Sequence, residues 1–160
     1  MPPVRILDAF LDGEGRLQER LLGSLPIADE AGPLLSKSEA MRYLAELPWA
    51  PDALLSNPDL TWEVVDDATL TVSLALPEDH ATVTLRLNEE GDITEISAEE
   101  RPTTDVNGAA GLLPWRGSFS DYAEIGVRRI PTRAEMGYVY DDGFEAYWRG
   151  QITEYEVHLP

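Results

Sequence analysis

SKSEAMRYLAELPW, residues 36–49, is the one stretch of this chain that reads as helix throughout; nearly everything else reads as strand and turn. Ala40, Leu44 and Leu47 fall on one face at helical spacing, with Met41 at its edge, the pattern of a face that packs into a core. Ser36 stands where an N-cap would, with Glu39 three residues later as in a capping box, and Leu35 and Ala40 are placed for a weak hydrophobic staple. Pro48 ends the helix and Pro51 can open a short second one through Leu55. A lone, largely apolar helix in a strand-rich chain predicts a curved sheet whose inside that helix fills.

Outward from the helix the period changes to two. Leu70, Val72 and Leu74 alternate with Thr69, Thr71 and Ser73, and Ala81, Val83, Leu85 and Leu87 alternate with Thr82, Thr84, Arg86 and Asn88. That is the pattern of half-buried antiparallel strands. Upstream, Val4–Phe10 reads as a strand, Asp12–Gly15 as a turn, Arg16–Ile27 as a second strand and Ala28–Pro33 as a loop. Downstream, strands are expected over Ile93–Glu100, Arg116–Glu124, Val127–Ile130, Ala134–Tyr140 and Ala146–Leu159, with Arg101–Leu113 a mobile loop. The expected fold is α+β: one domain over 1–160, a strongly curved antiparallel sheet of about eight strands, a half-barrel, wrapped over one main helix.

Composition narrows the partners. Acidic residues number 30 against 12 basic ones, a formal net charge of −18. That sign repels phosphate backbones and anionic bilayers, so neither nucleic acid nor membrane is an expected partner. The chain has no cysteine, which excludes disulfides, thiol nucleophiles and thiolate metal sites. No signal peptide or apolar span stands out, so a soluble, cytoplasmic protein is expected.

The candidate chemistry gathers on and around the helix. Arg42 and Glu46 are four apart and can pair, with Tyr43 beside them. Facing solvent, the pair contributes little. Facing the concave sheet, it could hold a ligand carboxylate on Arg42 or raise the pKa of Glu46 for acid–base work. The aromatics Trp49, Trp115, Tyr122 and Trp148 are either core or the lining of an apolar pocket. Trp62, Tyr138, Tyr140 and Tyr147 pose the same choice. His80 and His158 stand in no metal-ligand spacing, and Ser118 after Gly117 lacks the rest of a nucleophile elbow. Gly108 and Gly111 form no phosphate loop, and the pairs Asp66-Asp67, Glu89-Glu90, Glu99-Glu100 and Asp141-Asp142 read as solvated surface. No metal and no cofactor is expected.

The segments VRILDAFLDGEGRL (4–17), MRYLAELPWAPDALL (41–55) and RGSFSDYAEIGVRRIPTRAEMGYVYDDGFEAYWRGQIT (116–153) together resemble an uncharacterised bacterial and archaeal family, a domain of unknown function. The specific marks are R-Y-L-A-E-x-P-W-x-P at 42–51, F-x-D-Y at 119–122, R-I-P at 129–131 and Y-W-R-G-x-I at 147–152. The resemblance carries no activity with it. It implies relatives with a longer N-terminus, which would leave the first strand as an edge open to pairing and makes a homodimer the corresponding expectation. The curved sheet over a helix also resembles the half-barrel of periplasmic lipoprotein carriers, a likeness of fold alone.

Three functions fit these residues. The leading one is a non-catalytic protein holding a small apolar or amphipathic ligand between helix and concave sheet, with Tyr43, Trp49, Trp115, Tyr122 and Trp148 as lining and Arg42 meeting an acidic head group. The second is a cofactor-free isomerase or lyase using Glu46 as base with Tyr43 and Arg42. The third is a ligand-free accessory subunit. One physical expectation follows from composition: Lys37 is the only lysine beside eleven arginines, and an acidic, lysine-poor surface reads either as adaptation to salt or as the mark of a GC-rich genome. If the first holds, molar salt screens self-repulsion and should raise the melting temperature; an unchanged or lowered value removes it.

Overall fold

A computed structural model of the protein describes residues 3–22, 25–106 and 109–157, with side chains described at all of these except 19, 21, 25–28, 30, 104–106 and 109–110. Seven strands run as a meander of antiparallel neighbours: β4 (Leu60–Asp66), β5 (Thr69–Ala75), β6 (His80–Leu87), β7 (Ile93–Val106), β8 (Ala109–Ile125), β9 (Arg128–Tyr140) and β10 (Gly143–Gln151). The sheet stays open, a half-barrel. The alternation in β5 and β6 gives the register: Leu70 faces Leu85, Val72 faces Val83 and Leu74 faces Ala81. Val72, Val83 and Leu85 are buried at 1% exposure or less, while the Thr and Ser between them are half-buried.

A second, smaller sheet precedes it, in the order β1 (Val4–Leu11), β2 (Glu14–Leu21), β3 (Leu25–Ala31). Helix α1 (Pro33–Glu46) lies between the two sheets, touching β1, β2 and β3 on one side and β5, β6 and β7 on the other. Ala40 and Leu44 are fully buried and Leu47 and Met41 nearly so, packed with Val72, Ile96 and Trp115. The face predicted from helical spacing is therefore the one that meets the large sheet. A 3-10 turn over Leu47–Trp49 and a short helix α2 (Pro51–Ser56) follow at the two prolines.

Five local readings change. The helix starts at Pro33, not Ser36: Gly32 adopts φ 132°, a conformation suited to glycine, and Pro33 takes the first helical position, where its missing N–H costs nothing. Ser36 is then inside the helix, its N–H bonded to the Gly32 carbonyl at 2.9 Å, so the capping box does not form. Residues 28–31 are strand β3 rather than loop, and residues 101–106 and 109–113 are the arms of β7 and β8 rather than a mobile loop. The two short strands expected at 127–130 and 134–140 are one, running through Pro131. The strand expected to reach Leu159 ends at Gln151. Gly108 and His158 lie outside the described residues.

The small sheet is seated on α1 through a glycine. The Gly15 N–H donates to the Ser36 hydroxyl at 2.9 Å, and a Cβ at Gly15 would come within 2.8 Å of Ser36 Cα and 2.9 Å of the Leu35 carbonyl. These are backbone atoms, which cannot turn aside. Gly15→Ala should therefore lower stability by about 1–3 kcal/mol, read as a reduced urea midpoint. Gly111→Ala, where an added methyl meets nothing within 4 Å, should leave the midpoint unchanged or slightly raised. Equal effects would show that the small sheet is not held by this contact.

Candidate functional site

The polar face of α1 turns to the small sheet rather than the concave sheet, with Glu46 at its open edge. Arg42 lies at the centre of a ring of carboxylates: its Nη2 is 2.6 Å from Glu39 and 3.2 Å from Asp8 on β1, and its Nη1 is 3.4 Å from Glu46. The expected pairing of Arg42 with Glu46 is present, joined by two acids the sequence did not single out for this. Glu39 is nearly buried, with its side chain 9% exposed, whereas Glu46 keeps 55%. Burial raises the carboxyl of Glu39 above the usual carboxylate range, and a hydrogen bond with Asp8 raises it further. Burial also raises Glu46. Tyr43 points elsewhere: its hydroxyl accepts from Asn57 Nδ2 at 2.8 Å, and its ring packs on Phe10 with centroids 6.2 Å apart. Arg42, Tyr43 and Glu46 therefore share a helix face without aiming at a common point.

The aromatic candidates divide. Trp115 is 1% exposed and donates its Nε1–H to the Tyr147 hydroxyl at 3.1 Å. Tyr122 donates its hydroxyl to the Ile93 carbonyl at 2.7 Å, and burial pushes its phenol pKa well up. Trp49 donates to the Pro131 carbonyl at 2.9 Å and meets Phe119 and Trp148 edge-on at 5.5 and 6.1 Å. Trp148 is 42% exposed, its ring lying over Gly150, where a Cβ would come 2.3 Å from the indole. Tyr147, exposed at a β-bulge between Ala146 and Trp148, packs on Tyr138 at 5.5 Å. The result is an aromatic rim of two ring pairs, Trp49 on the 3-10 turn with Trp148 on β10, and Tyr147 on β10 with Tyr138 on β9, joined through the neighbouring positions 147 and 148.

At the end of that rim stands Arg101, which sequence reasoning placed in a loop. A bulge in β7 sets Ala98 opposite Trp115 but Arg101 opposite Leu113, so Glu99 and Glu100 together face one residue of β8. The extra residue reverses the alternation and turns Arg101 inward. Its guanidinium lies 4.8 Å from the Trp115 ring and 5.6 Å from the Tyr138 ring, with the residue 6% exposed. Nη1 donates to the Tyr138 hydroxyl at 2.5 Å and Nη2 to the Ser38 carbonyl at 3.3 Å. No periodicity could reveal this, because the bulge breaks the period.

The space between α1 and the large sheet is filled by Leu44, Val72, Leu85, Ile96 and Trp115, so the clefts lie at its margins. One of about 440 Å³ is lined by Phe10, Tyr43, Leu74 and Asn57 together with Asp12 and Asp59. Another of about 270 Å³ runs by Gly13, Pro33 and Leu76 with Glu14, Glu78 and Asp79. A third, about 250 Å³, is lined by Trp49, Thr132, Trp148, Gly150, Gln151 and Ile152, with no charged residue. Among the described residues, no group of three or more His, Asp or Glu is placed to hold a metal ion. His80 and Ser118 are exposed, as are the four acidic pairs.

The ring around Arg42 has a signature in pH. A carboxyl raised in the folded state contributes stability below its unfolded pKa and loses it as pH rises through the folded value. Glu39 is such a group. Glu39→Gln should therefore equal or exceed the native protein in melting temperature at pH 7, since Arg42 keeps Asp8 and Glu46. Any lead should shrink as pH drops toward about 4, where the native carboxyl is also protonated. A variant less stable at pH 7 and converging at low pH would show the opposite sign.

Comparison with curated proteins and with solved structures returns no match. No helix is long and apolar enough to cross a membrane among the described residues. Residues 1–150 match a family described as "Family of unknown function (DUF6544)". The match takes in the small sheet, the helix and almost all of the large sheet, and so includes the Arg42 ring, Arg101 and the aromatic rim. The chain belongs to this family of unknown function.

Proposed function

We propose that this protein binds a small apolar or amphipathic ligand without transforming it, and that the ligand lies along the aromatic rim of β9 and β10 beside the helix. The observation that carries the reading is the uncharged cleft of about 250 Å³ lined by Trp49 and Trp148, with Tyr147, next in sequence to Trp148, also exposed. Rigid aromatic side chains left open to solvent lose little entropy on binding and offer large apolar faces. Two of the ligand-lining residues expected from sequence, Trp49 and Trp148, belong to this cleft. The seam clefts support the reading less, because carboxylates line both. Arg42 is a poor anchor for an acidic head group, with three carboxylates already around it.

The isomerase or lyase reading has less behind it, since the Tyr43 hydroxyl is engaged by Asn57 while Glu46 pairs with Arg42. Binding is tested with Nile red, a neutral apolar dye whose fluorescence rises out of water. The native protein should enhance it saturably. Trp148→Ala should weaken binding about tenfold, the scale of losing about 1.4 kcal/mol of contact, and Gly150→Ala should do likewise by displacing the indole. Tyr43→Ala should leave it unchanged. Absence of saturable enhancement, or loss in Tyr43→Ala alone, would overturn the placement on this rim.

A further inference from the structure

The arginines of this protein that leave bulk water close on carboxylates, and Arg101 departs from that habit. Arg129 closes its Nε and Nη2 fork on the two oxygens of Asp92, at 2.8 and 2.6 Å. Arg128 turns the same fork on Asp52, with Nε at 2.8 Å. Arg42 directs Nε and Nη2 to Glu39 at 2.7 and 2.6 Å. In a chain with 30 acidic residues a carboxylate partner is easily found. Arg101 has none among the described residues. It is the most deeply buried arginine of these, at 6% exposure, and its Nε is a buried donor without any hydrogen-bond partner.

Burial of that kind is costly. A guanidinium stays protonated at any ordinary pH, so it cannot escape the cost by neutralising. An ionised group taken out of water without a counter-charge costs several kcal/mol, and an unmade hydrogen bond at a buried donor adds to it. Stacking between Trp115 and Tyr138 offsets part of this, but it leaves the edge of the guanidinium unsatisfied. On that edge Nε has no hydrogen-bond partner and Nη2 has the 3.3 Å contact with the Ser38 carbonyl. Nε and Nη2 together form the fork that matches two oxygens of one carboxylate or phosphate. The β7 bulge is what turns it inward.

We propose that the buried, incompletely bonded fork of Arg101 is an oxyanion site, taking the carboxylate or phosphate of a ligand. The proposal extends the reading above: Arg101 touches Tyr138, Tyr138 packs on Tyr147, and Tyr147 adjoins Trp148. The exposed part of that route is the edge of β10, where Tyr147 and Trp148 stand open to solvent. An amphipathic ligand would put its acid head at Arg101 and lay its alkyl tail along this edge toward the cleft at Trp49. The shared chemistry is the oxyanion, whether it is free or carried on such a tail.

The test uses dodecanoate, dodecanol and inorganic phosphate at constant ionic strength. In Nile red displacement from the native protein, dodecanoate should act at a concentration at least tenfold below dodecanol, and Arg101→Met should abolish that preference. Arg101→Lys keeps the charge without the fork and should lose most of it. Equal potency of the acid and the alcohol on native protein, or a preference that survives both substitutions, overturns the proposal. The arginine Nε–H resonances of the native protein, followed by NMR, decide independently of whether either variant folds and of whether Nile red binds. Movement of one buried Nε–H with dodecanoate alone supports a head group on an apolar tail. Movement with phosphate to the same extent supports a site for free oxyanions. If no buried Nε–H moves with either, the oxyanion site is overturned. Saturable Nile red binding would then leave the apolar rim standing.

Discussion

Helix α1 has to satisfy two sheets at once. Its Ala40, Leu44 and Leu47 face closes the hollow of the seven-stranded sheet, while Ser36, Glu39 and Arg42 receive the small sheet from the opposite side. The first contact is apolar, forgiving in orientation and large in area. The second is narrow and polar, a glycine backbone against a helix backbone beside a ring of charges. Such a layering leaves no free interior for a ligand beneath the helix. The clefts beside the helix region are found at the seams.

The two seams differ in character because of where the acids fall. On the side of the small sheet, Asp8, Glu39 and Glu46 gather on Arg42, and Asp12, Glu14, Asp59, Glu78 and Asp79 line the clefts. On the side of β9 and β10 the walls are Trp49, Trp148 and Tyr147, and the buried cation is Arg101. In an acidic chain, charged partners compensate one another wherever carboxylates are near, and the exception stands out against that background. Arg101 is held by two aromatic faces, a phenol and a carbonyl.

Much of the fold was legible because it rests on period and on composition. The apolar face at Ala40, Leu44 and Leu47, the alternation through β5 and β6, the helix end near Pro48 and the short helix opening at Pro51 all survive in three dimensions. What misled was local ambiguity. Ser36 and Glu39 satisfy the capping-box pattern, yet Gly32 and Pro33 offer an earlier start, and the later pattern was then absorbed into the helix interior. Residues 101–113 look like a loop because proline, glycine and threonine are frequent there, but pairing of β7 with β8 carries 101–106 and 109–113 as strand. The candidate site was legible in part: Trp49 and Trp148 were named, and Arg42 with Glu46 was paired. Trp115 and Tyr122 became core and strand-pinning residues instead.

By itself, then, the sequence determined the class of fold, the face of the helix that meets the large sheet and the acidic character of the surface, since these depend on residue type and spacing along one element. Tertiary structure decided which charges meet and which do not. Asp8 reaches Arg42 across 34 positions, a separation set by the docking of the small sheet. Arg101 faces inward because one bulge in β7 reverses the alternation, and Gly15 matters for the backbone it lets approach rather than for the turn it follows. Contacts between elements depend on register and layer order, which no period within a single element encodes.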